Sequence, residues 1–293
     1  MSGALPMDKA LTIRLRALFN IGEFMLANPR DVLSNSFHAR RKPGLGRLHI
    51  FFRHVHMRHH SRSRDPNKSR PEWFSHQACF ANLLRTLEES SFADRVCLTV
   101  VYDGTEADLA SDFVARYQAQ PSRVAVTVKL IHGGSNIKSW LELLEMVKSD
   151  TIPEDDVIFF MENDYLHVNG WLDKVVELYD SPIVFDYVSL YDHPDFYEVD
   201  GKPVFPAYRG LRAELHVTRT HHWRDAPSTC GTFLVKKKVF IEDIDVWSSR
   251  LSDFYAFAYL RTIKRRVLVN PVPGLGTHCM RAALAPTIDW AAQ

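Results

Sequence analysis

Apolar positions along this chain recur with two periods, and the first half switches between them regularly. Leu48 to Val55 is an apolar run with few breaks, and the sequence predicts a first strand there. Cys79, Phe80, Leu83, Leu84 and Leu87 then recur at helical spacing, with Ser75 placed to cap the helix start. Arg95 to Tyr102 predicts a second strand, which ends at Asp103-Gly104. Thr105 to Tyr117 reads as a helix, and Val124 to Ile131 as a third strand. His132 to Asn136 is a loop that leads into a helix over Ile137 to Lys148. Val157 to Met161 is continuously apolar, the pattern of a strand buried on both faces. Strand and helix thus alternate four times, which predicts a parallel sheet with helices on both sides.

The second half is less regular. Trp171 to Tyr179 predicts a helix, and Asp186 to Tyr191 a strand followed by an aromatic and acidic loop. Pro203 to Ala226 reads as irregular. Ser228 to Val235 predicts a strand whose Gly231 permits close approach of another group. Ser252 to Leu260 predicts a helix with Asp253 in its first turn. The helix dipole there is expected to favour the charged carboxylate. Pro271 to Cys279 reads as a Pro/Gly-rich loop presenting His278. Ahead of the sheet, Met7 to Asn28 has an amphipathic pattern. It predicts a helix packed on the domain surface, or one in peripheral contact with a membrane. The expected division is an N-terminal helical extension over residues 1–45 and a single domain over 46–293, made of two halves, 46–168 and 169–293.

Charge narrows the choice of partner. The 293 residues carry a formal net charge of +1, so no global field points to nucleic acid or a membrane surface. The basic charge is local: His56 to Pro71 is a polar loop rich in Arg and His, better suited to phosphate than to a metal. Cys79, Cys97, Cys230 and Cys279 are scattered, without a zinc or disulfide spacing. Reduced thiols and the lack of a continuous apolar signal core make a cytoplasmic location the expectation. No stretch is apolar for long enough to span a bilayer. The chain contains neither a G-x-G-x-x-G nor a P-loop.

The chemistry concentrates at Glu162-Asn163-Asp164, where the buried fourth strand turns polar. Ligands of open α/β sheets bind outside the carboxyl ends of the strands. Two carboxylates one residue apart at such a place suit a hard divalent cation shared with a diphosphate. A strand ending in a polar turn, with Asp164 capping the next helix, is the plainer alternative. Asp103, at the end of the second strand, can accept hydrogen bonds from a ribose or base, or can be a simple Asp-Gly turn.

The ordered set resembles a GT-A-type glycosyltransferase, closest to the family 2 group, from about Leu48 to about Ile288. The resemblance implies a Rossmann-like α/β fold, with a central mostly parallel sheet flanked by helices and an acceptor-binding C-terminal half. It implies transfer of a sugar from a nucleotide-sugar donor to an acceptor hydroxyl, with inversion. Asp103 then contacts the nucleoside, and Glu162-Asn163-Asp164 stands where the family has D-x-D. Asp164 and Glu162, with His278, are implied ligands of manganese or magnesium. Arg53 joins Asp103, Glu162, Asn163 and Asp164 as a nucleotide-sugar-binding residue, and Asp253 is the implied base. Asp243 and Asp245 rival Asp253 for that role. The acceptor is left open among a glycan, a lipid-linked sugar, a small molecule and a nucleic acid. A sugar nucleotidyltransferase and a non-catalytic anion- or nucleic-acid-binding module are the alternatives.

Overall fold

The structure, a computed structural model, describes residues 44–55, 69–249 and 252–293, together with Leu18 and Gly22. The expected amphipathic helix of residues 7–28 falls almost entirely outside them, as does most of the basic loop. In the first half β1 (Leu48–Val55), β2 (Val96–Asp103), β3 (Val126–Ile131) and β4 (Val157–Glu162) alternate with helices. These are α1 (His76–Glu88), α2 (Glu106–Ala110), α3 (Phe113–Gln118) and α4 (Asn136–Ser149). Ser75 caps α1 as expected, its hydroxyl accepting from the Ala78 amide at 3.0 Å. The helix expected over Thr105 to Tyr117 is two short ones. Asp112 breaks it by capping α3, a role for which Asp competes well against helix interior.

After β4 come the short β5 (Tyr165–His167), α5 (Trp171–Asp180), β6 (Tyr187–Val188), and the pair β7 (Glu198–Val199) and β8 (Lys202–Pro203). The region expected to be irregular holds β9 (Leu215–Val217) and β10 (His222–Asp225). The chain continues through β11 (Phe233–Lys236), α6 (Lys237–Glu242), α7 (Ile244–Trp247), α8 (Asp253–Thr262), β12 (Leu268–Val272) and β13 (Gly276–His278). The expected C-terminal loop is therefore largely strand: β13 pairs antiparallel with β5, which sets His278 opposite Tyr165.

One nine-stranded sheet runs in the order β3-β2-β1-β4-β11-β6-β12-β10-β9. The strands β3, β2, β1 and β4 are mutually parallel. β11 enters antiparallel to β4, and β10 antiparallel to β12. The molecule is thus α/β with a mostly parallel central sheet and flanking helices, the expected fold class.

Strand alternation divides the core in two. Val157, Phe159 and Met161 of β4 join Ile50, Phe52, and the apolar faces of α1 and α5 on one side. Ile158 and Phe160 join Phe51, Val101, Leu143, Leu144 and Val147 on the other, with Phe240, Trp247 and Phe257. A strand covered on both faces needs no polar positions until it emerges, which is why β4 stays apolar up to Glu162. No helix among the described residues is long and apolar enough to cross a membrane.

Candidate active site

The carboxyl end of β4 delivers Glu162 and Asp164 to one rim of the sheet, and β13 and α8 approach the same rim. The first pairing there is between Asp164 and His278. Asp164 Oδ2 lies 3.0 Å from His278 Nε2 and accepts from Arg70 Nη2 at 2.6 Å. His278 is held by β5–β13 pairing and by stacking on Tyr165, with ring centroids 5.1 Å apart and planes 3° from parallel. Arg70 also donates to the Cys279 carbonyl at 2.8 Å and lies over the Phe74 ring at 4.6 Å. Burial pushes the Asp164 carboxyl up, but the His278 hydrogen bond and the Arg70 charge outweigh it and hold the group well below the usual carboxylate range. Asp164 Oδ1 is buried and has no hydrogen-bond partner among the described residues.

The second pairing joins Glu162 and Asp253 across Gly231. A Cβ on Gly231 would stand 3.9 Å from Glu162 Oε1 and 4.0 Å from Asp253 Oδ2, so the glycine leaves open the space between the two acids. The Asp253 carboxyl is pushed up to about 6, by the protein atoms crowding it and then by the Glu162 charge, against the opposing pull of Arg53. By accessible area the same side chain still reaches water. Crowding in an open recess removes only part of its hydration, so the Glu162 charge is the part of the rise that a substitution can remove. This corrects the expectation that the helix dipole dominates at Asp253. The Ser252 side chain makes no cap hydrogen bond, and a like charge nearby outweighs a partial dipole charge.

Arg53 pairs in register with Glu162 across β1 and β4, and its guanidinium bonds the Asn136 side chain and lies 5.6 Å from the Trp140 ring centre. Its Nε is buried and has no hydrogen-bond partner among the described residues. Asp103 accepts from the Gly134 amide at 3.0 Å and from the Ser139 hydroxyl, tying the end of β2 to the start of α4. Gly133 permits that closeness, because a Cβ there would lie 2.2 Å from Ser139 Oγ.

Asn163 goes elsewhere. Its amide meets His54 Nδ1 at 2.9 Å behind the strand, while His54 Nε2 lies 3.4 Å from Asp112 and Tyr102 donates to Asp112 at 3.1 Å. The four side chains make one buried hydrogen-bonded chain. Its place is structural, which corrects the assignment of Asn163 to the donor. Asp243 is likewise removed from the rivals: it is fully buried and bonded by Arg266 at 2.8 Å and by the Tyr187 hydroxyl at 2.7 Å. Asp245 is exposed in α7, with no place at the rim.

The donor set can be tested against a divalent cation. Two ligands at adjacent corners of an octahedron with bonds of 2.0–2.1 Å lie about 3 Å apart. Asp164 Oδ2 and His278 Nε2 are at that spacing, 3.0 Å, although Oδ2 also accepts from Arg70 at 2.6 Å, and among the described residues Oδ1 has no hydrogen-bond partner. That pair fits. Glu162 does not converge with it: among the described residues, no three ligand atoms at this rim lie mutually within 4.8 Å. Glu162 therefore stands apart from the Asp164–His278 pair, which corrects its assignment as a direct metal ligand. Arg70 is the residue that reading the sequence did not single out. It lies at the end of a loop expected to bind phosphate, but nothing in the sequence points to its bond with Asp164. Cys79 and Cys279, 200 positions apart, lie beneath it with sulfurs 3.8 Å apart, and both are free thiols.

No protein-family model matches the chain, and no curated protein does. Among solved structures it is similar to the galactosyltransferase LgtC in complex with donor and acceptor sugar analogs. Identity is 10%, coverage 72% of this chain and 70% of that one, and the TM-score 0.39. It is also similar to mouse xyloside xylosyltransferase 1, at 10% identity over 75% and 83% with a TM-score of 0.41. The inositol-1-phosphate CTP transferase from T. maritima matches at 12% identity over 78% and 86%, with a TM-score of 0.38. Scores this low add nothing to the functional argument, which stands on the rim itself.

Proposed function

We propose that this protein is a nucleotide-sugar-dependent glycosyltransferase that moves a sugar to an acceptor hydroxyl with inversion. The observation that carries this reading is the meeting of two unlike carboxylate pairings at one sheet rim, Asp164 with His278 and Glu162 with Asp253. Asp164, kept ionised beside His278, suits a cation and diphosphate; Asp253, raised beside Glu162, suits proton transfer. Asp164 and His278 would hold manganese or magnesium. When bound, such a cation neutralises charge on the departing diphosphate.

The chain's own groups do the rest. Arg70, anchored by Asp164 and the Cys279 carbonyl, presents its guanidinium toward the same diphosphate. Asp103 contacts the nucleoside through Oδ1, which among the described residues accepts only a 3.3 Å bond from Gly134. Arg53 supplies positive charge beside Glu162 and Asp253. The acceptor hydroxyl loses its proton to Asp253 as its oxygen bonds the anomeric carbon, and the bond from that carbon to the diphosphate oxygen breaks. A single displacement of this kind inverts the centre. The half-exposed rings of Phe205, Tyr208 and Phe254 pack together beside Asp253 and form the wall on which an acceptor ring would lie.

The reading is tested by incubating the protein with a panel of nucleotide sugars and manganese or magnesium. Metal-dependent release of a nucleoside diphosphate supports it. Release of pyrophosphate from a nucleoside triphosphate and a sugar phosphate would support the nucleotidyltransferase instead.

A further inference from the structure

The far edge of the sheet holds a second cluster of ligand-type side chains. Four strands lie between β4 and β9 in the sheet order, so at a strand spacing of about 4.8 Å the two are roughly 24 Å apart. In the antiparallel pair β9–β10, His216 stands opposite Trp223, and the Asp225 amide donates to the Glu214 carbonyl at 3.1 Å. Side chains alternate along a strand. Glu214 and His216, two apart on one strand, therefore share a face with Trp223 and Asp225 on the other. Their ligand atoms lie mutually within 4.8 Å, and His216 Nε2 is 2.9 Å from Asp225 Oδ1. Among the described residues no other three His, Cys, Asp or Glu side chains converge in this way.

We infer that Glu214, His216 and Asp225 form a zinc site, with the fourth position open to water. Zinc takes imidazole nitrogen and carboxylate oxygen alike, and its open sites use three protein ligands with water in the fourth position, which is the number Glu214, His216 and Asp225 supply. Ligands on a tetrahedral zinc at about 2.0–2.1 Å stand about 3.3–3.5 Å apart. The His216–Asp225 pair needs only to open slightly, and the exposed Glu214 carboxylate to swing in. The ladder between β9 and β10 fixes the backbone beneath all three, so little ordering is required on binding. The ion staples β9, the three-residue edge of the sheet, to its neighbour. Leu215 and Val217 on the other face of that edge are 73% and 66% exposed, so the ion adds to a ladder that little apolar burial supports.

The test is calorimetric titration of the intact protein with zinc chloride alone, in wild type and in His216→Ala, Asp225→Asn and His278→Ala. The expected result is a zinc equivalent present in wild type and in His278→Ala. In His216→Ala and Asp225→Asn it weakens by at least about tenfold, the lower end of what losing even an outer-shell partner costs. Cobalt substitution should give tetrahedral visible bands that His216→Ala lacks. Melting temperatures without zinc, compared across the variants, separate loss of ligation from loss of fold; if His216→Ala melts early, Asp225→Asn carries the comparison. Unchanged zinc stoichiometry and affinity in both edge variants would overturn the site. So would zinc binding that His278→Ala alone abolishes, or a wild type that binds none.

Discussion

Asp164 and Asp253 sit at one rim with opposite electrostatic fates, and each has a measurable signature. Asp253 is raised to about 6 from the ordinary value of about 3.9. Between those values the folded chain binds a proton that the unfolded chain does not, so stability falls as pH rises through that window. Asp253→Asn should remove that fall, seen as a flatter melting temperature between pH 4 and 6. If Asp253 is the base, the same variant should cut transfer by about 10²–10⁴-fold while donor affinity survives. Wild-type transfer should climb with pH through about 6. Glu162→Gln should move that climb to lower pH, since it removes a like charge from across Gly231. Near-normal transfer in Asp253→Asn, with altered melting alone, would make the residue a helix-start acid. Asp164 has the reverse linkage. Its lowered value contributes stability above the ordinary carboxylate range, and that stability is lost as pH falls through it. His278→Ala should leave this acid-side stability reduced and raise the metal concentration needed for turnover; an unchanged metal titration would leave His278 as a bracing residue only.

Among the elements, β4 is the one on which the others depend. Phe160 lies with Phe240, Trp140 and Phe233 at ring distances of 4.8, 5.2 and 5.3 Å. Phe160→Ala should therefore destabilise the fold by about 3–5 kcal/mol in denaturant unfolding; a cost below about 1 kcal/mol would mean that the two-sided packing is loose. Such elements were legible in the sequence because burial on both faces leaves an unbroken apolar run. β1 to β4 and their helices come from periodicity alone. β9, β10 and β13 were not legible. They are three or four residues long, too short to show a period, and owe their conformation to the strands they pair with: β13 exists because β5 pairs with it. The zinc cluster was hidden for the same reason. Glu214 and His216 are two apart, but Asp225 reaches them only through the β9–β10 register. The helix α2–α3 misled in the other direction, since apolar spacing continued through a break that Asp112 makes by capping.

Across the whole molecule, a near-neutral chain gathers its useful charge in one place by topology. Parallel strands β1, β2 and β4 all end at the same rim and bring Arg53, Asp103, Glu162 and Asp164 there, and α8 and β13 add Asp253 and His278. Asp103, Glu162 and Asp164 were visible as acids at strand ends. The Arg70 contact was not, because it depends on how a loop of unpatterned polar residues returns to the sheet. On the proposed function, Asp164 anchors a cation and a nucleotide-sugar diphosphate at this rim. The most direct measurement is nucleoside diphosphate release from a nucleotide-sugar panel as manganese is titrated, in wild type and Asp164→Asn, with melting temperatures recorded alongside. Wild type should show saturable, manganese-dependent release, and Asp164→Asn should be a folded protein whose release is lost at limiting manganese. Wild-type turnover by Asp164→Asn at limiting manganese would contradict that anchoring role.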